Sequence, residues 1–408
     1  MKLSKHKLGE LIEVTRGASL SGQFYAEEGE LIRLTLGNFN MNGGGFKENT
    51  SKTDLYYTGT VKDEFILNKG DIITPLTEQS LGLLGTTARI PENGKYIQSQ
   101  DVALVKCKEG LLDPNFCYYL ISSSIVRQQL SAGAQQTKIR HTSPDKIKDC
   151  TVWVPEFEEQ KRIGRILTDI DEKITLNRQI NDNLEAMAKQ LYDYWFVQFD
   201  FPNEEGKPYK SNGGVMVWNE MLKREIPQGW NDCKIKDFMR IFTGKKDVSK
   251  AVPGNYKFFS CAPEPISSNE YIYDGYAVLV SGNGSYTGRV GFYKGKFDLY
   301  QRTYACVLDE DEHNISFFYY TLRYLFQPIY SGGKHGSSIP YIVLGDLADF
   351  RFAFNETICT KFVDAAKPMF DEQLLRQKEI EALTKQRDEL LPLLMNGQAT
   401  VNYHLSDD

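Results

Sequence analysis

The stretch KLGELIEVTRG at residues 7–17 returns in altered form as KIKDFMRIFTG at residues 234–244, and this recurrence decides how the chain is organised. The offset between matching stretches falls only from 227 residues (7 to 234) to 200 residues (131 to 331), so the order of elements is kept. Such self-similarity indicates an internal duplication. The later matches are Phe116-Cys117-Tyr118-Tyr119-Leu120 with Phe317-Phe318-Tyr319-Tyr320-Thr321, and Ser131-Ala132-Gly133 with Ser331-Gly332-Gly333.

Each half reads as a mixed α+β globule. Short runs of β-branched and aromatic residues, such as residues 65–67, 102–105 and 277–280, are separated by Gly, Asn and Pro, which is typical of strands and turns. A helix is expected to follow in each half, from Asp113-Pro114 in the first and from near Ser316 in the second. The predicted fold is therefore α+β, with two similar domains of mixed sheet and helices.

A long helix is expected after each globule, over residues 158–196 and from near Glu356. Nearly forty residues at a rise of 1.5 Å span about 58 Å. In the first helix, Ile163, Ile170, Asn177, Leu184 and Leu191 fall at one heptad position, and a second row is expected three residues later, at Ile166, Lys173, Ile180, Met187 and Tyr194. Each helix could pack only on its own globule, or the two could pair as a coiled coil. The residues expected at the helix contact or against a partner are Ile163, Ile170, Ile180, Leu184, Leu191, Phe362, Met369, Ile380, Leu383 and Leu390.

The composition is that of a folded protein of more than one domain. The chain has 408 residues, of which 41% are hydrophobic and 25% are charged. A net charge of −6 argues mildly against DNA binding, although local charge matters more than the sum. The seven cysteines are scattered without a CxxC pair, and the five histidines are dispersed, so we expect free thiols and no metal site. The sequence shows no signal-peptide or membrane-helix pattern, and we expect a cytoplasmic protein.

Several stretches resemble the specificity subunits of type I restriction–modification systems. They are residues 154–163 (VPEFEEQKRI), 192–202 (YDYWFVQFDFP), the Gly-rich segment 206–214 and the IPQGW motif at 226–230. The resemblance covers essentially the whole chain. The second helix departs from it, because residues 356–362 read ETICTKF where the first helix has EEQKRIG.

The resemblance implies a division into five segments: recognition domains at 1–155 and 231–355, helices at 156–200 and 356–401, and a linker at 201–230. Each recognition domain would read one half of a split, asymmetric site on double-stranded DNA. The two helices would form an antiparallel coiled coil that docks two methyltransferase subunits, with endonuclease–translocase subunits joining that core. S-adenosylmethionine, ATP and magnesium would belong to the partner subunits, with no cofactor in this chain. A rigid spacer also suits half-sites separated by helical turns of about 34–36 Å.

The sequence offers no catalytic constellation of its own. Asp113-Pro114-Asn115-Phe116 comes within one residue of the (N/D)PP(Y/F) motif of amino-methyltransferases, but a helix start explains it as well. Residues 282–288 carry three glycines without the Lys-Ser/Thr ending of a phosphate loop, so a hairpin or recognition loop is favoured. We therefore expect a subunit that is not an enzyme.

Two sets of polar loops stand out as candidates for reading DNA. Gln, Asn and Arg can make paired hydrogen bonds to base edges, while Lys and Ser suit phosphates. The alternative is a protein-interaction scaffold whose loops are ordinary surface. The candidates are Gln79, Ser80, Gln98, Gln100, Gln135, Gln136, Lys138, Arg140 and His141 in the first half, and Asn283, Ser285, Tyr286, Arg289, Arg302, Lys334, His335, Ser337 and Ser338 in the second.

Overall fold

The structure, a computed structural model, describes residues 2–41, 44–78, 82–132, 140–309, 312–336 and 338–401. The chain forms two compact units. One unit comprises the chain up to residue 178 and again from residue 378, and the other comprises residues 179–377. We call residues 4–154 the first domain and residues 231–354 the second domain.

The first domain is built on a four-stranded antiparallel sheet. Its strand order is Ile12–Arg16, Val102–Cys107, Ile72–Pro75 and Ala88–Arg89. A second, five-stranded sheet has the order Tyr25–Ala26, Tyr56–Tyr57, Ile32–Arg33, Tyr96–Ile97 and Ile66–Leu67, with one parallel pair. Two short pairs complete it, Ser4–Lys7 with Thr151–Val154 and Thr77–Glu78 with Arg140–His141. The helices of this domain are Leu8–Leu11, Pro114–Ser122, Ser124–Ala132 and Pro144–Lys148.

The second domain is built on a six-stranded mixed sheet. Its strand order is Arg240–Thr243, Thr303–Val307, Tyr273–Ser281, Val290–Leu299, Tyr256–Phe259 and Ile266–Ser268. Asn231–Lys234 pairs with Arg351–Phe354, as Ser4–Lys7 pairs with Thr151–Val154 in the first domain. The helices here are Ile315–Thr321, the wider π-turn Leu322–Phe326, Gln327–Tyr330 and Leu344–Ala348.

The helix that was expected at Asp113-Pro114 forms with the cap that the sequence suggests. The Asp113 carboxylate accepts a hydrogen bond from the Phe116 backbone N–H at 2.9 Å, and Pro114 is the first helical residue. Asp113 therefore acts as an N-cap, which accounts for the motif without a catalytic role.

The segment between the first long helix and the second domain contains a hairpin and packed aromatic rings. Met216–Asn219 and Arg224–Pro227 form a hairpin. The Phe201 ring stacks on Trp230, with ring centroids 5.2 Å apart. Gly229 takes a left-handed φ of +83°, which lets the IPQGW motif turn so that the Trp230 N–H reaches the Pro227 carbonyl.

The two long helices, Phe157–Tyr192 and Glu356–Met395, pack against each other and run antiparallel. In the first unit, Ile170 and Ile174 lie against Ile380, and Leu383 and Leu390 flank that contact. The carboxyl end of the second helix buries Leu394 and Met395 in the core of the first domain. In the second unit, the first helix and the π-turn Asp193–Val197 that follows it contribute Tyr192 and Phe196 to the core. Pairing between helices is confirmed, and each helix also packs on a domain.

The buried face of the first helix differs from the expected one in its second row. Lys173 and Tyr194 are exposed, and the Met187 side chain is 55% exposed. The buried row lies four residues after the first, at Leu167, Ile174 and Ala188. On a helix of 3.6 residues per turn, a second row can follow the first row after either three or four residues. The sequence analysis predicted three residues, and the structure has four. Of the expected contact residues, Ile163, Ile170, Phe362 and Ile380 are buried, whereas Ile180, Leu184, Leu191, Met369, Leu383 and Leu390 are half-buried.

The EEQKRIG stretch of the first helix has a structural role that explains its residues. Gln160 is 2% exposed, and its amide contacts the Asp113 N–H and the carbonyls of Leu111 and Pro155. Gly164 lies so close to the Asp113–Phe116 turn that a Cβ would be 2.7 Å from the Phe116 nitrogen. The two long helices start 199 residues apart (356 − 157), and by this offset the second helix has the buried residues Cys359 and Val363 at these places. In the second helix, apolar packing therefore takes the place of the hydrogen bonds that the Gln160 amide makes in the first.

Among the residues that the structure describes, none of the helices is long and apolar enough to span a bilayer.

Candidate nucleic-acid interface

Three segments of the second domain meet at one edge, and we call residues 282–289, 300–302 and the described residues 335–336 and 338–342 the second loop cluster. The Gly282 N–H donates to the Arg302 carbonyl, and the Ile342 N–H donates to the Gly282 carbonyl, both at 2.9 Å. Asn283 and Tyr341 form an antiparallel bridge. The loops predicted from separate parts of the sequence are thus held together by backbone hydrogen bonds.

The side chains of this cluster that face solvent can each donate a hydrogen bond, and the hydroxyls can also accept one. Ser285, Tyr286 and Arg302 are exposed, and Asn283 is half-buried. The Asn283 amide oxygen accepts a hydrogen bond from the Cys261 thiol at 3.1 Å. Next to the cluster, Lys334 is exposed, and its ammonium lies 4.3 Å from the centre of the Tyr330 ring.

Two predicted residues of the second loop cluster are engaged in contacts within the domain. Arg289 is half-buried and donates to the Ala262 carbonyl at 2.6 Å. Burial, followed by the nearby Arg323, lowers the pKa of the Arg289 guanidinium. The His335 Nε2 lies 3.0 Å from an Asp346 carboxylate oxygen, and its ring stacks on Tyr341. Ser338, the last predicted residue of this cluster that the structure describes, is exposed.

The first domain holds an equivalent first loop cluster, which we define as residues 76–78, 99–101 and 140–142. The Leu76 N–H donates to the Asp101 carbonyl at 2.8 Å, and the Thr142 N–H donates to the Leu76 carbonyl at 2.9 Å. Thr77 pairs with His141 across the short ladder. These bonds reproduce, one for one, those that hold the second loop cluster together.

The side chains of the first loop cluster carry both signs of charge. The Thr77 hydroxyl donates to the Asp101 carboxylate at 3.0 Å and lies 3.3 Å from the His141 Nδ1. Arg140 is about one third exposed and lies 3.7 Å from the buried Glu78 carboxylate. The Glu78 carboxylate also accepts hydrogen bonds from the backbone N–H groups of residues 82–84, so it fixes the backbone of these residues.

Gln98 corrects one of our predictions. Its side chain is only 1% exposed, and its amide N–H groups donate to the Thr15 and Val102 carbonyls at 2.8 and 3.0 Å. We therefore no longer expect Gln98 to contact DNA, whereas Gln100 and His141 are exposed. Gln79, Ser80, Gln135, Gln136, Lys138 and Ser337 lie outside the described residues.

Thr77 and Asp101 are residues that the sequence analysis passed over. Ladder partners align the two domains, because Pro75 faces Val102 as Ser281 faces Thr303. By this register Thr77 corresponds to Asn283, Asp101 to Arg302 and His141 to Tyr341. An alignment that allowed for the small changes in offset would have led from the candidates Asn283 and Arg302 to Thr77 and Asp101.

A polar cleft of about 520 Å³ adjoins the first loop cluster and was also missed. Its lining includes Gln100, Asp101, Lys47 and Lys52. These two lysines lie in the 35–53 segment, which has no pattern that marks it as a binding loop. Within the described part of the chain, His, Cys, Asp and Glu side chains form no group of three or more that could hold a metal ion.

The chain contains two copies of one α+β frame and a pair of antiparallel helices. Each frame presents a loop cluster of amide, hydroxyl, imidazole and guanidinium groups. This arrangement defines a duplicated recognition protein. The chain matches the family described as type I restriction modification DNA specificity domain over residues 2–186 and 227–354. It belongs to that family and is a specificity subunit of a type I restriction–modification system.

Individual relatives agree with this assignment. The type I restriction enzyme MjaIX specificity subunit of Methanocaldococcus jannaschii is 25% identical over 324 residues, covering 72% of this chain and 71% of that protein. The EcoDI specificity subunit of Escherichia coli is 32% identical over 186 residues, covering 44% of this chain and 41% of that protein. The crystal structure of the type I S subunit from M. genitalium shares the fold, with a TM-score of 0.60 and 18% identity over 97% of this chain and 96% of that chain.

Membership settles the kind of role that the chain plays. Specificity subunits are the non-catalytic, DNA-specifying subunits of type I systems, and their family carries no catalytic cofactor.

Proposed function

We propose that each domain reads one half of a bipartite, asymmetric DNA site and that the chain thereby directs partner subunits to it. The observation that carries the proposal is that two loop clusters share one hydrogen-bond frame but differ in their side chains. A shared frame would present each cluster to the duplex in the same way. Different side chains at Thr77 and Asn283, or at Asp101 and Arg302, would then select different bases.

The partners follow from the family. Two methyltransferase subunits would carry the S-adenosylmethionine chemistry, and endonuclease–translocase subunits would carry the ATP and magnesium chemistry. The site of action would be cytoplasmic, with the DNA.

Exposed apolar residues on the two helices support docking of two copies of the same partner. Leu176 and Leu375 are 55% and 58% exposed and are related by the 199-residue offset between the helices. Tyr194 and Leu393 are related by the same offset, and both are exposed. Apolar side chains exposed at equivalent places of a duplicated element are what two identical partners would need.

The reading proposal is tested in the assembled complex by mapping methylated positions genome-wide. Arg140→Ala with His141→Ala should relax only one half of the modified motif, and Tyr286→Ala with Lys334→Ala only the other. Each lost base contact should cost about 1–3 kcal/mol of discrimination. Lys69→Ala with Lys223→Ala, two lysines outside the loop clusters, is the matched control. Relaxation of both halves by one pair of changes would contradict independent reading.

Salt dependence separates DNA reading from a scaffold role. Duplex affinity of the complex should fall steeply with salt, and Lys334→Ala should reduce the slope of log affinity against log salt by about 1. Modification that is independent of both loop clusters would favour the scaffold.

The docking proposal is tested by Leu176→Asp with Leu375→Asp. We expect this pair of changes to prevent co-purification of the methyltransferase subunits. Gln179→Asp with Gln386→Asp, two exposed residues of the same helices, should leave co-purification unchanged. Full assembly with the leucine variant would overturn the docking surface and leave the reading proposal intact.

A further inference from the structure

The two loop clusters carry opposite charges at one equivalent position. The Asp101 carbonyl accepts from the Leu76 N–H in the first domain, and the Arg302 carbonyl accepts from the Gly282 N–H in the second. The turns before them also match, because Val102 N–H donates to the Ser99 carbonyl as Thr303 N–H donates to the Tyr300 carbonyl. A carboxylate thus stands in one domain where a guanidinium stands in the other.

In the second loop cluster the side chains around this position offer donors. Arg302 is exposed, and its guanidinium makes no hydrogen bond or ion pair with any residue that the structure describes. The Cys261 thiol donates to the Asn283 amide oxygen, so the Asn283 NH₂ group is the part of the amide left to meet a ligand. Guanine presents two acceptors, O6 and N7, in the major groove, and arginine pairs with both.

In the first loop cluster the same position offers an acceptor. The Asp101 carboxylate takes the Thr77 hydroxyl as donor at 3.0 Å, which orients it, and it lines the polar cleft while remaining half-exposed. A carboxylate accepts from an exocyclic amino group, and in the major groove such groups are cytosine N4 and adenine N6.

We infer that one domain reads its base with a hydrogen-bond donor and the other with an acceptor. Arg302 of the second domain recognises a guanine, and Asp101 of the first recognises an exocyclic amino group. This inference rests on the proposed half-site reading. It assigns to each domain the chemical class of base that its central side chain selects.

The test uses the full complex, with methylation mapping and competition binding to duplexes that carry each base at each position. Arg302→Ala should reduce discrimination at one guanine of the second half-site by about 5- to 150-fold, which corresponds to 1–3 kcal/mol. Replacing that guanine by 7-deazaguanine should weaken the parent complex to a similar degree, because the analogue lacks N7. Arg302→Lys should keep part of the preference. Lys250→Ala, an exposed basic residue of the same domain, is the control.

For the first domain, Asp101→Asn adds a donor while keeping the oxygen that accepts from Thr77. It should reduce discrimination at one base of the first half-site if that base is cytosine, and it should strengthen the preference if the base is adenine, because asparagine pairs with adenine N6 and N7. Asp63→Asn, an exposed acid of the same domain, should have no effect.

Failure of the inference is distinguishable from failure of the proposed function. Relaxation by Arg302→Ala at a base other than guanine, or indifference to 7-deazaguanine, overturns the inference while half-site reading stands. Relaxation by Asp101→Asn at guanine or thymine does the same. If both variants leave every position unchanged although the loop-cluster variants above relax theirs, the inference again falls alone. If those variants also have no effect, half-site reading falls with it.

Discussion

The first and second domains differ least in their backbone hydrogen bonds and most in the side chains that these bonds present. Ser4 faces Val154 as Asn231 faces Phe354, and Arg16 faces Ala103 as Thr243 faces Tyr304. The sheets that surround this frame are different, because a five-stranded sheet in the first domain has no counterpart among the described residues of the second. Duplication therefore preserved the path of the loops and left their chemistry free to diverge.

A pair of glycines gives the strongest test of the shared frame. A Cβ at Gly17 would lie 2.3 Å from the Gln98 carbonyl oxygen, and a Cβ at Gly244 would lie 1.5 Å from the Leu299 carbonyl oxygen. Backbone atoms cannot move aside cheaply, so both alanine variants should be destabilised. We expect a loss of about 3 kcal/mol or more for Gly244→Ala and a smaller loss for Gly17→Ala in urea unfolding.

Gly345→Ala is the matched control, because a Cβ at this helical residue would meet no atom within 4 Å. It should be neutral or slightly stabilising. A neutral Gly244→Ala would mean that the two domains do not share this close approach.

The contact between the long helices includes an ion pair of a buried arginine in the first unit and an amide–carboxylate hydrogen bond in the second. Alanine substitutions at the two contacts should therefore lower the free energy of unfolding by different amounts. In the first unit, Arg387 is 8% exposed and donates to the Asp171 carboxylate at 2.9 Å, which also accepts from the Tyr119 hydroxyl. Burial opposes the charge of Arg387, but its hydrogen bonds to Asp171 and Asp388 prevail and raise the pKa of the guanidinium. In the second unit, Gln373 donates to a Glu185 carboxylate oxygen at 3.2 Å.

Arg387→Ala should therefore cost more than Gln373→Ala. We expect about 2–3 kcal/mol for the arginine, because Asp171 loses its charged partner but keeps the Tyr119 hydroxyl and some contact with water. The glutamine should cost about 0.5–1 kcal/mol. Both values are measured by urea unfolding, with the exposed Lys385→Ala as a control near zero. Equal costs would refute the difference that we assign to the two contacts.

The smallest expected effect concerns the loop before each domain's last strand. The ammonium groups of Lys234 and Lys236 each lie 2.8 Å from the Asp349 carboxylate, and hydrogen bonds to both lower its pKa to about 2. A lowered pKa in the folded state stabilises above the ordinary value near 3.8 and loses this contribution as pH falls towards 2. In the first domain, Lys7 contacts the backbone carbonyl of Asp149 instead.

Asp349→Asn should therefore lower the unfolding midpoint slightly at pH 6 and leave it unchanged near pH 2, whereas Asp149→Asn should have no such pH-dependent effect. Thermal unfolding at the two pH values measures this. A larger effect of Asp349→Asn at pH 2 than at pH 6 would contradict the sign.

The duplication, the α+β class and the two long helices could be predicted from the sequence because each leaves a repeated or periodic pattern. The phase of the first helix could not, because Ile166 and Leu167 are both apolar and only packing selects Leu167. Gln98 was chosen for its side-chain type, but its amide satisfies buried backbone groups, a demand that the sequence does not display. Asp101 was passed over because a carboxylate looks unsuited to DNA until its equivalence to Arg302 is known.

The central claim is that each half of the chain is one reader joined to one pairing helix. Expression of residues 1–203 with the partner methyltransferase, followed by mapping of modified bases, tests it most directly. The truncated chain loses Leu394 and Met395 from the core of its first unit. By the 199-residue offset, Trp195 and Phe196 of a second copy would take their place, so burial of apolar surface favours a twofold dimer. The account predicts modification of a split palindrome built from the first half-site, and modification of the unchanged asymmetric site would contradict it.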